Sequence, residues 1–292
     1  MVVVVLLSLI VLALMAVFNA TQTAFRASVT QAGILESGRA SMDLMADDLR
    51  AMAPSLSRSN AIVFDPFNVT NNVNFFSAVT SFATPAPPSP LVQPMVGGSS
   101  VRINVLENFF VLSKNNINGT TSWIGTGYAV NTNLPDGTPY PLYRFNMITN
   151  VMIGTPASLF NNFAALQFTN SNIWSHLMDG VVNLTVRAYD VNGGQMTNNI
   201  TYSGGQIATN KNVLYFPSGP PALGQVGFVM FSNTLPASVE IEMGVLEDRA
   251  LQRAESIPNP VIQSNYLVGS AGQVHVFRQR VSIPNVDPSA YQ

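Results

Sequence analysis

The chain has 292 residues, no cysteine, 47% hydrophobic residues, only 10% charged residues and a formal net charge of −2. That balance excludes a solvated disordered chain, which needs low hydrophobicity and high charge, and a nucleic-acid binder, which needs a basic surplus to neutralise phosphates. Zero cysteine excludes disulfide frameworks, thiolate zinc sites, iron–sulfur clusters and cysteine nucleophiles, and the length allows one large or two ordinary domains.

Much of the apolarity sits at the start. Met1 to Phe18 reads MVVVVLLSLIVLALMAVF, with Ser8 as its one polar side chain. A charge-free apolar run of this length is a transmembrane-helix candidate, about 27 Å long at 1.5 Å per residue. A cleaved secretory signal, an ordinary signal anchor and the apolar half of a longer helix all begin this way. The secretory signal needs a basic stretch ahead of the run, but the first charged side chain is Arg26.

The next segment favours the longer helix. From Asn19 to Met52 there is no proline, and the glycines are Gly33 and Gly38. Phe18, Phe25, Val29, Ala32, Leu35, Met42, Met45, Leu49 and Met52 recur at steps of three, four and seven, which places them along one helical stripe. Off the stripe, Glu36 with Arg39, Arg39 with Asp43 and Asp47 with Arg50 stand at helical pairing distance. The spacing predicts one continuous helix of about 50 residues, ending near Ala53 because Pro54 cannot continue it.

Pro54 opens a different composition. Residues 54–100 are rich in Asn, Ser, Thr and Pro, with apolar clusters at Ile62–Phe64 and Phe75–Phe82, and read as an irregular connection with one early strand. Residues 101–292 shift toward a period of two. Val101 to Val105, Phe109 to Leu112, Trp123 to Val130, Pro141 to Ile148, Ala165 to Thr169, Val181 to Tyr189, Gly227 to Phe231, Ser238 to Leu246 and Gln273 to Ile283 read as strands. Asp190-Val-Asn-Gly-Gly reads as a tight turn, and Asp248 to Ile257 as a short charged helix stopped by Pro258. The expected fold class is α+β, a long N-terminal helix packed on an antiparallel β-sheet domain, with domains 1–53, 54–100 and 101–292. No G-x-G-x-x-G, Walker A or βα alternation is present, which argues against nucleotide-binding α/β folds.

The helix layout resembles the N-terminal helix of type IV pilins and type II secretion pseudopilins. The residues that carry it are VVVVLLSLIVLALMAVFNATQTAFRASVTQA, then GRASMDLMADDLRAM. Gly38, Arg39, Met42, Asp43, Met45, Asp48, Leu49 and Arg50 resemble the minor, pilin W-like or pseudopilin J-like, subgroup. Leu235 to Arg249 (LPASVEIEMGVLEDR) and Phe277 to Val286 (FRQRVSIPNV) look like strands of the same proteins. The middle, from about Ser55 to Asn172, matches nothing. The family's basic leader, its glycine before the cleavage point and its Phe-Thr-Leu-x-Glu start do not precede Met1, and no basic residue ahead of the run holds the N-terminus in the cytoplasm. The expectation is a natural start upstream of Met1; the alternative is a chain that lacks the motif and is not processed by prepilin peptidase.

The resemblance implies a structural subunit without chemistry or cofactor. Val2, Val5, Leu6, Leu9, Ile10, Leu12, Ala13, Ala16 and Phe18 would form the membrane and assembly helix. Phe25, Val29, Leu35, Met42, Met45, Leu49 and Met52 would pack on the β domain. Ala13, Ala16, Ala20, Ala24, Ala27 and Ala32 would allow close helix approach. Its partners would be inner-membrane lipid and other pilin or pseudopilin subunits, with no nucleic acid and no small-molecule substrate. The chain would be a single-pass bacterial inner-membrane protein with a periplasmic C-terminal domain. It would join a filament or pseudopilus on assembly.

Few residues suggest chemistry. His176 and His275 each stand alone in sequence, which suits structural hydrogen bonding better than metal or catalysis. Glu240 and Glu242 share a strand face and form either a solvated face or an acid dyad. Asp190, Asn192 and Gly193 resemble the start of a calcium loop, but the closing position holds Thr201 and not an acid. Sequons at Asn19, Asn68, Asn118, Asn183 and Asn199 are ones that an Asn-rich sequence produces by chance. A membrane-anchored periplasmic binding protein or enzyme is the rival reading. It would need a pocket gathering these groups, and would leave Phe25 to Met52 undocked.

Overall fold

The computed structural model describes residues 2–56, 72–82, 92–94, 101–117, 120–131, 140–150, 156–196, 207–210, 212–217 and 226–291. Ile62–Phe64, Asn68, Asn118, Asn199 and Thr201 lie outside the described residues.

Val2–Arg50 forms one unbroken α-helix of 49 residues, α1. Within it Val3–Phe25 is 23 residues long and apolar enough to cross a membrane, and none of it is buried against the rest of the chain. At 1.5 Å per residue this is about 35 Å, more than a hydrocarbon core needs, so the span is longer than Met1–Phe18. Its three hydroxyls are satisfied within the helix: those of Ser8, Thr21 and Thr23 donate to the carbonyls of Val5, Val17 and Asn19 at 2.8, 2.8 and 2.9 Å. The amides of Asn19 and Gln22 fall in the last two turns of the apolar stretch, where a spanning helix meets the interface.

The remaining elements are β1 (Val73–Phe82), β2 (Val92–Pro94), β3 (Val101–Ile103), β4 (Val105–Ile117), β5 (Thr120–Val130), β6 (Leu142–Asn150), α2 (Pro156–Ala164), β7 (Trp174–Met178), β8 (Val181–Tyr189), β9 (Ile207–Asn210), β10 (Val213–Pro217), β11 (Val226–Phe231), β12 (Ser238–Leu246), α3 (Asp248–Glu255), α4 (Pro260–Gly269) and β13 (Val274–Ser282). Eleven strands make one sheet, with the path β13-β12-β8-β4-β1-β11-β10-β9 and a branch in which β5 pairs with β4, β6 with β5 and β7 with β6. β2 and β3 form a separate pair.

The α+β class holds, but the sheet is mixed. β4 and β8 run parallel and pair at Leu106–Leu184. They join two antiparallel blocks, and side chains finish the seam. Asn183 Oδ1 accepts from the Val105 N–H at 3.2 Å, and Glu107 Oε2 accepts from the Val186 N–H at 2.7 Å. Carboxylate and amide oxygens thus replace the carbonyls that a longer ladder would have supplied.

One expectation is met in part and one needs correcting. The early strand expected within the Asn- and Pro-rich connection is β1, and it is an interior strand between β4 and β11. Its polar residues are buried and bonded: Asn74 accepts from the Ser55 N–H and donates to the carbonyls of Ser232 and Thr234. Ala165 to Thr169 is not a strand; it is the turn after α2, with Leu166 at a φ of 48°.

α1 and α2 cover opposite faces of the sheet. Under α1, Met45, Leu49, Phe109, Tyr128, Leu184, Ile241 and Met243 form the main core. Under α2, Phe110, Phe145, Phe160, Phe163 and Trp174 form an aromatic core. Gly127 makes room there, since a Cβ would stand 2.4 Å from the Phe163 ring.

Candidate functional site

The candidate site is α1 itself and the seat that holds its second half. The buried stripe on the sheet runs Ile34, Gly38, Ser41, Met42, Met45, Ala46, Leu49 and, just past the helix, Met52. Of the seven residues expected to pack there, Met42, Met45, Leu49 and Met52 do. Leu35 is half-buried, and Ile34, one position earlier, takes the contact at 2% exposure. Phe25 and Val29 do not reach the sheet and are 70% and 56% exposed. The residues of the membrane half, Val5, Leu6, Leu9, Ile10, Leu12 and Phe18 among them, are exposed as well.

Gly38 sets the phase of the stripe. A Cβ at Gly38 would stand 2.3 to 2.9 Å from the Phe277 ring of β13. The helix can therefore lie on β13 only where it lacks a side chain. Gly38→Val is expected to displace Phe277 and destabilise the domain by about 1–3 kcal/mol, as overpacking does. Thermal unfolding checks this, and the neighbouring exposed Gly33→Ala, with nothing within 4 Å of the added carbon, is the control.

Near its end the helix is fastened by charge. Asp48 lies between Met45 and Met52 on the same face and accepts two bonds from the Arg144 guanidinium on β6, both at 2.9 Å. The Tyr128 hydroxyl on β5 donates to the same carboxylate. Burial, and then the Asp48 charge, push the Tyr128 phenol well above its usual range, so it stays a donor. Burial works against the Arg144 charge, but the Asp48 bonds outweigh it and raise its pKa. Past the helix, the Ala53 N–H donates to Leu112 O at 2.9 Å, and Asn285 Nδ2 donates to Met52 O at 2.9 Å. Of the surface pairs read from helical spacing, Asp47 with Arg50 forms at 2.7 Å.

The residues weighed for chemistry are each engaged locally. His176 on β7 bonds Asp179 at 2.8 Å, and His275 on β13 bonds Glu247 at 3.1 Å. Glu240 is buried, so it does not form a solvated face. It accepts from Arg187 at 3.0 Å and Arg278 at 2.8 Å, while Glu242 lies 3.6 Å from Arg187. Burial alone would raise the Glu240 pKa; the bonds from Arg278 and Arg187 outweigh it and hold it below the usual range. Asp190 spends its carboxylate on the N–H groups of Asn192 and Gly194, closing the predicted turn over Gly193 at a φ of 79°. Asn183 is buried in the seam and is no glycan acceptor. Among the described residues no three His, Cys, Asp or Glu side chains gather to hold a metal ion.

The Asp48–Tyr128–Arg144 cluster escaped sequence reasoning because its members lie up to 96 residues apart. One signal was available: a charge at position 48 inside an otherwise apolar stripe. Comparison with models of known families, with curated proteins and with solved structures finds no match.

Proposed function

We propose that the chain is a pilin-like structural subunit, of the minor pilin or pseudopilin kind, that performs no chemistry. Val3–Phe25 holds it in the bacterial inner membrane with the β domain in the periplasm. α1 then packs against the same helix of neighbouring subunits in a type IV pilus or type II secretion pseudopilus. The observation that carries this reading is one unbroken helix in two environments, apolar and uncovered over Val3–Phe25 and seated on the sheet from Ile34. A simple anchor needs neither a rigid passage from membrane to domain nor apolar side chains such as Phe25 and Val29 beyond the span. A subunit that moves from lipid into a helical bundle needs both, because its apolar face is dry before and after.

Fractionation of cells carrying such a machine tests the reading. The protein is expected to resist carbonate extraction from membranes and, when the machine runs, to appear in a sheared, lipid-free filament fraction. Ile10→Arg combined with Leu14→Arg should remove it from both, because two central arginines cost a spanning helix about 5–7 kcal/mol, about what its apolar side chains supply. Recovery of the wild-type chain only as a soluble protein, or never outside the membrane while the machine runs, would count against the proposal.

A further inference from the structure

β13 ends the sheet: β12 pairs with it on one side, and among the described residues no strand pairs with the other. It runs for nine residues in unbroken register with β12, without proline or bulge. Natural edges are usually shortened, bulged, broken by proline or guarded by charged side chains, and of these β13 has only the charges of Arg278 and Arg280. The direction of its free bonding groups follows from the register. Ala237 O accepts from the Ile283 N–H at one end, and Gln273 O accepts from the Glu247 N–H at the other. The odd-numbered residues of β13 therefore turn their backbone toward β12, and Val274, Val276, Arg278, Arg280 and Ser282 turn N–H and C=O outward.

The side chains along this edge have a definite sign. Arg278 is 60% exposed although it bonds Glu240, and Arg280 lies over the Tyr189 ring at 3.8 Å. Val276, Phe277, Arg278 and Gln279 line an open groove with Arg39, Met42 and Asp43 of α1, so the edge stays open beside the helix. Inside the sheet, β12 sets Glu242 opposite Arg278 and Glu240 opposite Arg280. Antiparallel pairing with a second copy of β13 would instead bring Arg278 and Arg280 against their own kind, which is unfavourable.

We propose that the outer edge of β13 receives an extended strand from another polypeptide, one carrying acidic side chains two positions apart that meet Arg278 and Arg280. Main-chain bonds to Val276, Arg278 and Arg280 supply the affinity, and the charges fix register and exclude self-pairing. This goes beyond the assembly reading and does not depend on it, since the edge belongs to the β domain and not to the membrane helix.

The full chain in lipid nanodiscs is titrated with a fluorescent threonine-rich peptide bearing two glutamates one residue apart, and with its lysine counterpart. The glutamate peptide is expected to bind, to slow hydrogen exchange at Val276, Arg278 and Arg280, and to exceed the lysine peptide roughly tenfold in affinity, from two opposite-charge pairs. Val276→Pro removes an outward N–H without touching the β12 ladder, a place where proline is tolerated; it should abolish binding with melting near that of the wild type. Arg278→Gln is the second variant, and should weaken the glutamate peptide about fivefold while sparing the lysine one. The proposal is overturned if neither peptide binds, if both bind equally, if binding survives Val276→Pro, or if the edge amides are protected by self-association alone.

Discussion

Replacing Asp48 by asparagine is expected to destabilise the folded domain by about 2–4 kcal/mol, because it breaks a largely buried ion pair and leaves the Arg144 guanidinium without its counter-charge. The figure sits below the deepest buried pairs because the two side chains keep 16% and 23% exposure. In melting temperature this is a fall of roughly 4–8 °C for a chain of this size. The geometry makes the sign firm. Arg144 holds both oxygens of Asp48 in a fork, and Tyr128 adds a third bond. Arg144→Lys keeps the charge but loses the fork, so it should fall between wild type and Asp48→Asn. Tyr128→Phe removes one hydrogen bond and should cost about 1 kcal/mol. The functional consequence lies at the helix. With the pair gone, Met45, Leu49 and Met52 still bury apolar surface and the Ala53–Leu112 and Asn285–Met52 bonds still hold the end of α1, but the helix loses its tie to β5 and β6 through Asp48. Thermal unfolding of the single and double variants checks this, and additive losses for Asp48→Ala and Arg144→Ala would contradict a coupled pair.

The second large effect is a pH dependence written by Glu107. Burial raises this carboxyl from 4.5 to about 7, against the opposing bonds from the Val186 N–H and the Ser77 hydroxyl and the charge of Arg187. Arg187 is itself held by Glu240 and Glu242 on β12, which limits what it lends to Glu107. The folded state therefore keeps a proton that the unfolded state releases as pH rises from about 4.5. Stability contributed by the neutral carboxyl is full below that value and is lost as pH rises through about 7, a total of roughly 3 kcal/mol at 1.36 kcal/mol per unit. Glu107→Gln keeps an acceptor for Val186 without a charge. Relative to the wild type it should gain stability steadily as pH rises from 5 to 8, by about 2–3 kcal/mol over that range. Denaturant unfolding of both proteins across pH 5 to 8 isolates the effect as a difference. Parallel pH profiles would contradict the assignment.

Where sequence reasoning succeeded and failed has a physical pattern. α1 was legible because a proline-free run with helical spacing has one low-energy solution, first in lipid and then on a sheet. β8 and β12 were legible because one face of each meets the helix side and the other carries polar groups. β1 was legible from its apolar cluster Phe75–Phe82, but its interior place was hidden, because it is covered on both faces and buried polar residues such as Asn74 serve as bonding partners for backbone. α2 was hidden by brevity; its apolar Leu159, Phe160 and Phe163 are the only trace of the face it buries. The rotation of the stripe from Leu35 to Ile34 came from Gly38 against Phe277, a contact across 239 residues that no local period records. Phe25 and Val29 show the deeper limit. Helical spacing says that a face is apolar, not whether its own sheet or another molecule covers it.

The chain has no native cysteine, so single cysteines can be placed along α1 without background. Introduced at Ala13, Phe25, Val29 and Met45 in cells that run a pilus or pseudopilus, they give the most direct measurement of what this helix does. With a cysteine also placed in the N-terminal helix of a neighbouring subunit and an oxidant added to join the two thiols, disulfide adducts are expected at Ala13, Phe25 and Val29 and not at Met45, which faces the chain's own sheet. Adducts at none of these positions, while the protein is present in the membrane and the machine runs, would contradict the account of α1 as an assembly helix.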